Sequence, residues 1–170
     1  SFYFIERKSQ MKELTPPIRA DRKPLWELLP LEQPLRINID PCDVCNIKCD
    51  FCFQSKSKEF KGNIMTVEMF EKIITQLKEF ADPINVIHLY GLGEPLINKN
   101  IPQFIRMVKS ENVGKEVKTT TNGTLLTYSL IDELMEAGLD ELTISLNGLS
   151  DEDFERITRV KINFENVFDN

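Results

Sequence analysis

Several features are scarce or missing in the chain, and each absence narrows its role. It has one histidine in 170 residues, His88. That residue sits inside a strand-like stretch with no identifiable catalytic partner, so it reads as a packed or hydrogen-bonded strand residue and not as a base. No run of Lys and Arg stands out and the formal net charge is −6, so the basic footprint of a nucleic-acid binder is missing. No apolar run approaches the length needed to span a bilayer. Ser1-Phe2-Tyr3-Phe4-Ile5 is apolar but too short for the hydrophobic region of a signal peptide. Cysteine is absent from every part of the chain except one loop. These absences predict a cytoplasmic, reducing setting with neither nucleic acid nor membrane as partner.

The loop that does hold cysteine runs from Cys42 to Cys52 and contains all four, with Cys45, Cys49 and Cys52 at a C-x3-C-x2-C spacing. Two disulfides are possible by count, but four cysteines so close together are poorly placed to staple distant segments. A structural zinc site usually takes two ligand pairs with a longer connector between them. Here only three residues separate Cys42-x2-Cys45 from Cys49-x2-Cys52. An iron–sulfur cluster is larger than one ion, and its separate iron corners suit closely spaced thiolates.

Around this loop the hydrophobic pattern alternates between strand and helix periods. Residues 1–34 carry Pro16, Pro17, Pro24, Pro30 and Pro34 and read as an N-terminal extension, with Trp26, Leu28, Leu29 and Leu31 packing across a core edge. Residues 35–170 read as one core. Strands are expected at 35–40, 84–90, 116–121 and 141–146. Helices are expected at 67–80 after Thr66, at 101–109 after Asn100, after Thr127 as far as Gly138, and after Ser150. Phe164, Val167 and Phe168 begin a further helical pattern. Met135 falls at core spacing. Four strand–helix alternations predict an α/β fold with a parallel sheet and outer helices. The cysteine loop would then lie beyond the carboxyl end of the first strand, where such folds build their sites. Gly91-Leu92-Gly93-Glu94-Pro95 follows the second strand. By itself it is an ordinary glycine turn, or a turn whose bare backbone lets a ligand approach.

Cys45-x3-Cys49-x2-Cys52 resembles the cluster signature of radical S-adenosylmethionine (SAM) enzymes. The resemblance implies that Cys45, Cys49 and Cys52 hold three irons of a [4Fe–4S] cluster, with the fourth iron left for the amino and carboxylate groups of SAM. Phe51, before the last cysteine, would pack near the adenine. The turn at Gly91, Gly93 and Glu94 resembles the family's GGEP motif, which meets the methionyl amino group. Thr121-Asn122-Gly123 is similar to its TNG, with Asn122 directed toward SAM or substrate. Ser145-Leu146-Asn147-Gly148 resembles its fourth-strand motif, with Ser145 and Asn147 near the ribose and carboxylate. No catalytic residue is assigned.

The implied activity is reductive cleavage of SAM to a 5′-deoxyadenosyl radical that takes hydrogen from a peptide or small metabolite. An external one-electron reductant of flavodoxin or ferredoxin type would supply the electron. The implied fold is a partial (β/α) barrel of radical SAM type. The family usually has six strand–helix units, so the chain is expected to be truncated after about four. The run from Asn147 to Asp153 is similar to members with a C-terminal SPASM-type domain for auxiliary clusters. Cys42 departs from the motif, either as a spare thiol or as a ligand when SAM is absent. The competing reading places all four cysteines on one saturated cluster, making the chain an electron carrier or a structural centre. A fragment with no activity of its own is a third.

Overall fold

The computed structural model describes residues 4–5, 24–57, 62–148 and 150–161. Its strands are β1 (Phe4–Ile5), β2 (Arg36–Asn38), β3 (Ile84–His88), β4 (Gly114–Thr121) and β5 (Glu141–Ile144). Its helices are α1 (Phe53–Lys56), α2 (Val67–Leu77), α3 (Ile101–Ser110), α4 (Tyr128–Ala137) and α5 (Asp151–Thr158). The sheet order is β1-β5-β4-β3-β2. Neighbours from β2 to β5 pair in parallel, as α/β alternation requires, with Asn38 opposite His88, His88 opposite Lys118 and Lys118 opposite Glu141. The short β1 pairs antiparallel with β5, Phe4 opposite Thr143, so the extension supplies a strand to the β5 edge.

Three strands are shorter than the sequence predicts, yet their hydrogen bonding continues past the last paired residue. Ile39 N–H donates to the His88 carbonyl, Leu89 N–H to Lys118 and Ser145 N–H to Thr121, each at 2.8 Å. The strand ends are therefore held in register as they enter the loops above the sheet.

Alternation along the strands separates two faces. Ile87, Leu89, Val117 and Leu142 are buried against the helices. On α2 and α3 the apolar residues recur at helical spacing, and Phe70 stacks on Phe104 with ring centroids 4.2 Å apart. Thr127 and Ser150 cap α4 and α5, their hydroxyls accepting from Leu130 and Asp153 N–H. Gly138 ends α4 in the left-handed conformation at φ 98°. Asn100 holds the N-cap position of α3, but its side chain makes no capping bond. The buried Asn98 accepts from Asn100 N–H instead.

The opposite face is polar. Lys118 bridges Glu141 at 2.8 Å across the sheet and Glu116 at 2.9 Å along its own strand. Burial lowers the Lys118 pKa, but the two carboxylates outweigh it and leave the ammonium above its usual value. His88 is half-buried on this face, edge-on to Tyr90 at 5.0 Å. Burial, then Arg36 and Lys118, depress its pKa below the ordinary imidazole value.

Trp26 corrects the expected packing of the extension, since its side chain is 76% exposed. Leu28, Leu29 and Leu31 are exposed as well. The side chain of Gln33 anchors this segment through paired hydrogen bonds with the Asp82 backbone, which leaves its apolar residues outside. Phe164, Val167 and Phe168 lie outside the described residues.

Candidate metal and cofactor site

The cysteine loop leaves β2 at Asp40 and is clamped from three directions. From below, α5 docks on it. Lys48 N–H donates to the Thr158 carbonyl at 2.8 Å and Asp50 N–H to Ile157 at 2.9 Å, while Phe154 packs with Ile47 and Cys49. A bidentate Arg159–Asp50 pair, 2.9 Å at both contacts, closes the exposed rim. From the side, Ser55 on α1 donates to the carbonyls of Cys49 and Cys52. Asn98 staples the start of the loop, donating to the Pro41 and Met65 carbonyls at 3.0 and 2.9 Å.

The third clamp is the glycine turn after β3. Glu94 N–H donates to the Val44 carbonyl at 2.8 Å. A Cβ on Gly93 would fall on the carbonyl oxygens of Val44 and Cys42, and one on Gly91 would fall inside the Asp40 carboxylate. Asp40 Oδ1 in turn accepts from Leu92 N–H at 2.7 Å. The missing side chains of Gly91 and Gly93 thus admit the neighbouring loop, while their backbone still borders the cavity described below. Sequence reasoning missed Asp40, which carries no local signal because its contact is 52 residues away.

Glu94 is turned inward and only 3% exposed. Its Oε1 accepts from Thr121 Oγ1 at 2.5 Å and Leu96 N–H at 3.1 Å, and its Oε2 accepts from Asn122 N–H at 2.8 Å. Burial pushes its pKa up while these donors pull it down, and burial prevails. The carboxylate joins the glycine turn to the end of β4. Beyond it, Asn122 Nδ2 donates to Asn46 Oδ1 at 2.9 Å, and Asn46 Nδ2 donates to Thr124 Oγ1 at 2.7 Å.

A cavity of about 300 Å³ opens above the sheet. It is bordered by Cys45, Cys49, Cys52, Phe51, Gly91, Gly93, Glu94, Asn122, Ser145 and Asn147, so the three motif cysteines and the residues expected around SAM reach one place. Tyr90, Leu92 and Thr120 also border it. Phe51 stands at the rim with its ring 70% exposed.

All four cysteines are free thiols, so the disulfide reading does not hold. Burial, then the proximity of Cys45 and Cys52, pushes the Cys49 pKa up to about 11. Burial raises Cys45 as well. Burial thus favours the protonated thiol at Cys45 and Cys49 in the free chain, and metal binding there must release protons. Among the described residues, no three His, Cys, Asp or Glu side chains gather as one ion requires. A cluster asks for less convergence, because each sulfur binds a different iron corner.

Cys42 is apart from the other three. Its thiol is buried and donates to the Glu94 carbonyl at 3.2 Å and the Val44 carbonyl at 3.5 Å, and it does not border the cavity. The donor set at the cavity is three soft thiolates, which fits a [4Fe–4S] cluster with one iron free of protein ligands. Among the described residues, no helix is long and apolar enough to cross a membrane.

Residues 39–170 match the family model described as the Radical SAM superfamily. The chain is 36% identical over 132 residues to a probable GTP 3′,8-cyclase of Methanococcus maripaludis, covering 78% of this chain and 42% of that protein. It is 35% identical over 127 residues to a GTP 3′,8-cyclase of Clostridium botulinum, covering 74% and 38%. The chain thus spans about two fifths of the length of these curated relatives. Among solved structures, BtrN in complex with AdoMet and 2-DOIA superposes with a TM-score of 0.64 at 25% identity, over 81% of this chain and 52% of that one. The fold also matches SuiB of Streptococcus suis bound to S-adenosylmethionine, at a TM-score of 0.57 and 23% identity, over 76% and 27%.

Proposed function

The chain belongs to the radical SAM superfamily, and from that premise we propose that Cys45, Cys49 and Cys52 hold a [4Fe–4S] cluster beside a bound SAM. When bound, the two groups supply one-electron cleavage of SAM to methionine and a 5′-deoxyadenosyl radical, which takes a hydrogen atom from substrate. The electron comes from an external donor of flavodoxin or ferredoxin type.

The protein's part is to bind, orient and exclude water. The backbone groups of Gly91 and Gly93 face the cavity beside the cysteines and suit the amino end of SAM. Glu94 acts on that turn from inside, holding it against Thr121 and Asn122. Phe51 offers a ring at the rim for the adenine, and Ser145 offers a hydroxyl for the ribose. The names of the curated relatives make GTP the first substrate to test.

One observation carries this reading. Three of the four thiols border the cavity, while the fourth is spent on two backbone carbonyls. A cluster ligated by all four cysteines would have to pull Cys42 out of that buried position. The test is anaerobic reconstitution of the full-length protein, with dithionite and SAM, followed by assay for 5′-deoxyadenosine. Wild type and Cys42→Ala should both form the cluster and the product, and Cys49→Ala neither. Cluster loss in Cys42→Ala as complete as in Cys49→Ala would overturn the proposal in favour of a four-cysteine centre.

A further inference from the structure

Two side-chain amides are aimed at cysteine sulfurs. Asn122 Nδ2 lies 4.0 Å from Cys45 Sγ, and Asn147 Nδ2 lies 3.8 Å from Cys49 Sγ. They come from the carboxyl ends of neighbouring strands, β4 and β5, and each takes a different cysteine.

The direction of the Asn122 amide follows from its surroundings. Its Oδ1 already accepts from Thr124 N–H at 3.0 Å and from Thr124 Oγ1 at 2.6 Å. Its backbone N–H is held by Glu94 Oε2. The nitrogen must therefore face Asn46 and Cys45, and a flipped amide would set two donors against Thr124 N–H. The residue is only 6% exposed, so water does not compete freely for the donor. Asn147 is steadied by its neighbour. A Cβ on Gly148 would press on Phe154 N at 2.7 Å, so the chain after β5 sits directly on the first turn of α5.

Hydrogen bonds to cluster sulfurs, with net charge and solvent exposure, set the potential of an iron–sulfur centre. Reduction adds one electron, part of whose charge falls on the sulfur ligands, and an N–H dipole pointed at sulfur stabilises that state more than the oxidised one. We propose that Asn122 and Asn147 are outer-sphere positioning residues that donate N–H···S hydrogen bonds to Cys45 and Cys49 and raise the reduction potential of the cluster. This rests on the reading that those cysteines ligate a cluster. It gives the two asparagines a task apart from the SAM contacts that the family resemblance implies.

The test is an EPR-monitored redox titration of the reconstituted full-length protein without SAM, which removes any contribution from cofactor contacts. Asn122→Ala and Asn147→Ala should each shift the midpoint to more negative potential at unchanged iron loading, by about threefold to tenfold in the reduction equilibrium. A tenfold change corresponds to about 59 mV for one electron. Asp at either position keeps the shape, loses the donor and adds negative charge, so it should shift the midpoint further. Unchanged midpoints at full loading, with weakened SAM binding instead, would overturn the inference and return the asparagines to the cofactor. Loss of the cluster from both the Ala and the Asp variant of a site would also overturn it, because a donor that tunes a cluster does not hold it. Wild-type protein that takes up no cluster would overturn the parent reading, whereas the other two failures leave that reading intact.

Discussion

Glu94 shows how a motif residue can serve a site from behind it. Its two oxygens receive three donors from two separate elements, which takes up three of about four acceptor positions. Glu94→Gln keeps the volume but turns an N–H toward a donor. It should destabilise the free protein by about 1–3 kcal/mol, the cost of a buried polar group left unsatisfied, measured by urea unfolding. His88 makes a second prediction at this scale. Its folded pKa lies below its unfolded value, so the unfolded chain binds the proton first as pH falls. The stabilisation is complete above the ordinary imidazole pKa of about 6.5 and is lost as pH falls from there toward the folded pKa. His88→Gln should flatten that part of the stability–pH curve and leave its slope above pH 7 unchanged. An unchanged slope would mean that His88 is solvated as it would be in the unfolded chain.

At the scale of elements, the glycine turn and the cysteine loop form one packed unit. Gly93→Ala sets a methyl against backbone that cannot swing aside, and should cost about 1–3 kcal/mol as overpacking, with loss of cluster loading. Gly91→Ala meets only the end of the Asp40 side chain. Its cost should be relieved by a second substitution, Asp40→Gly, so that the double variant is more stable than the sum of the single effects predicts. Additive effects would mean that the two residues do not touch. The four parallel strands, the longer helices, the caps at Thr66, Thr127 and Ser150 and the cysteine spacing were legible in the sequence because each leaves a signal within a few residues. Asp40 on Gly91, Asn98 on Pro41 and Asn147 on Cys49 were not legible. Each joins residues more than fifty apart and leaves no periodic trace. The exposure of Trp26 was missed for the opposite reason, because a large ring invites a packing assumption that its local chain does not satisfy.

For the whole molecule, the sheet sorts its labour between its two faces and its upper end. One face is apolar and carries helices, the other is polar, and the carboxyl ends of β2 to β5 converge on the cavity. Support for the cysteine loop reaches it from α5, more than 100 residues later in the chain, through Phe154 against Ile47 and Cys49. Phe154→Ala should cost about 3–5 kcal/mol and weaken cluster retention without touching a ligand, seen as a lower unfolding midpoint and faster iron loss to a chelator.

The three-thiol centre is tested most directly by Mössbauer spectroscopy of the ⁵⁷Fe-reconstituted full-length protein before and after SAM is added. The spectrum is predicted to resolve one iron that changes on addition of SAM while three do not. Four irons that stay alike and unchanged in SAM, in a verified [4Fe–4S] centre, would contradict the account.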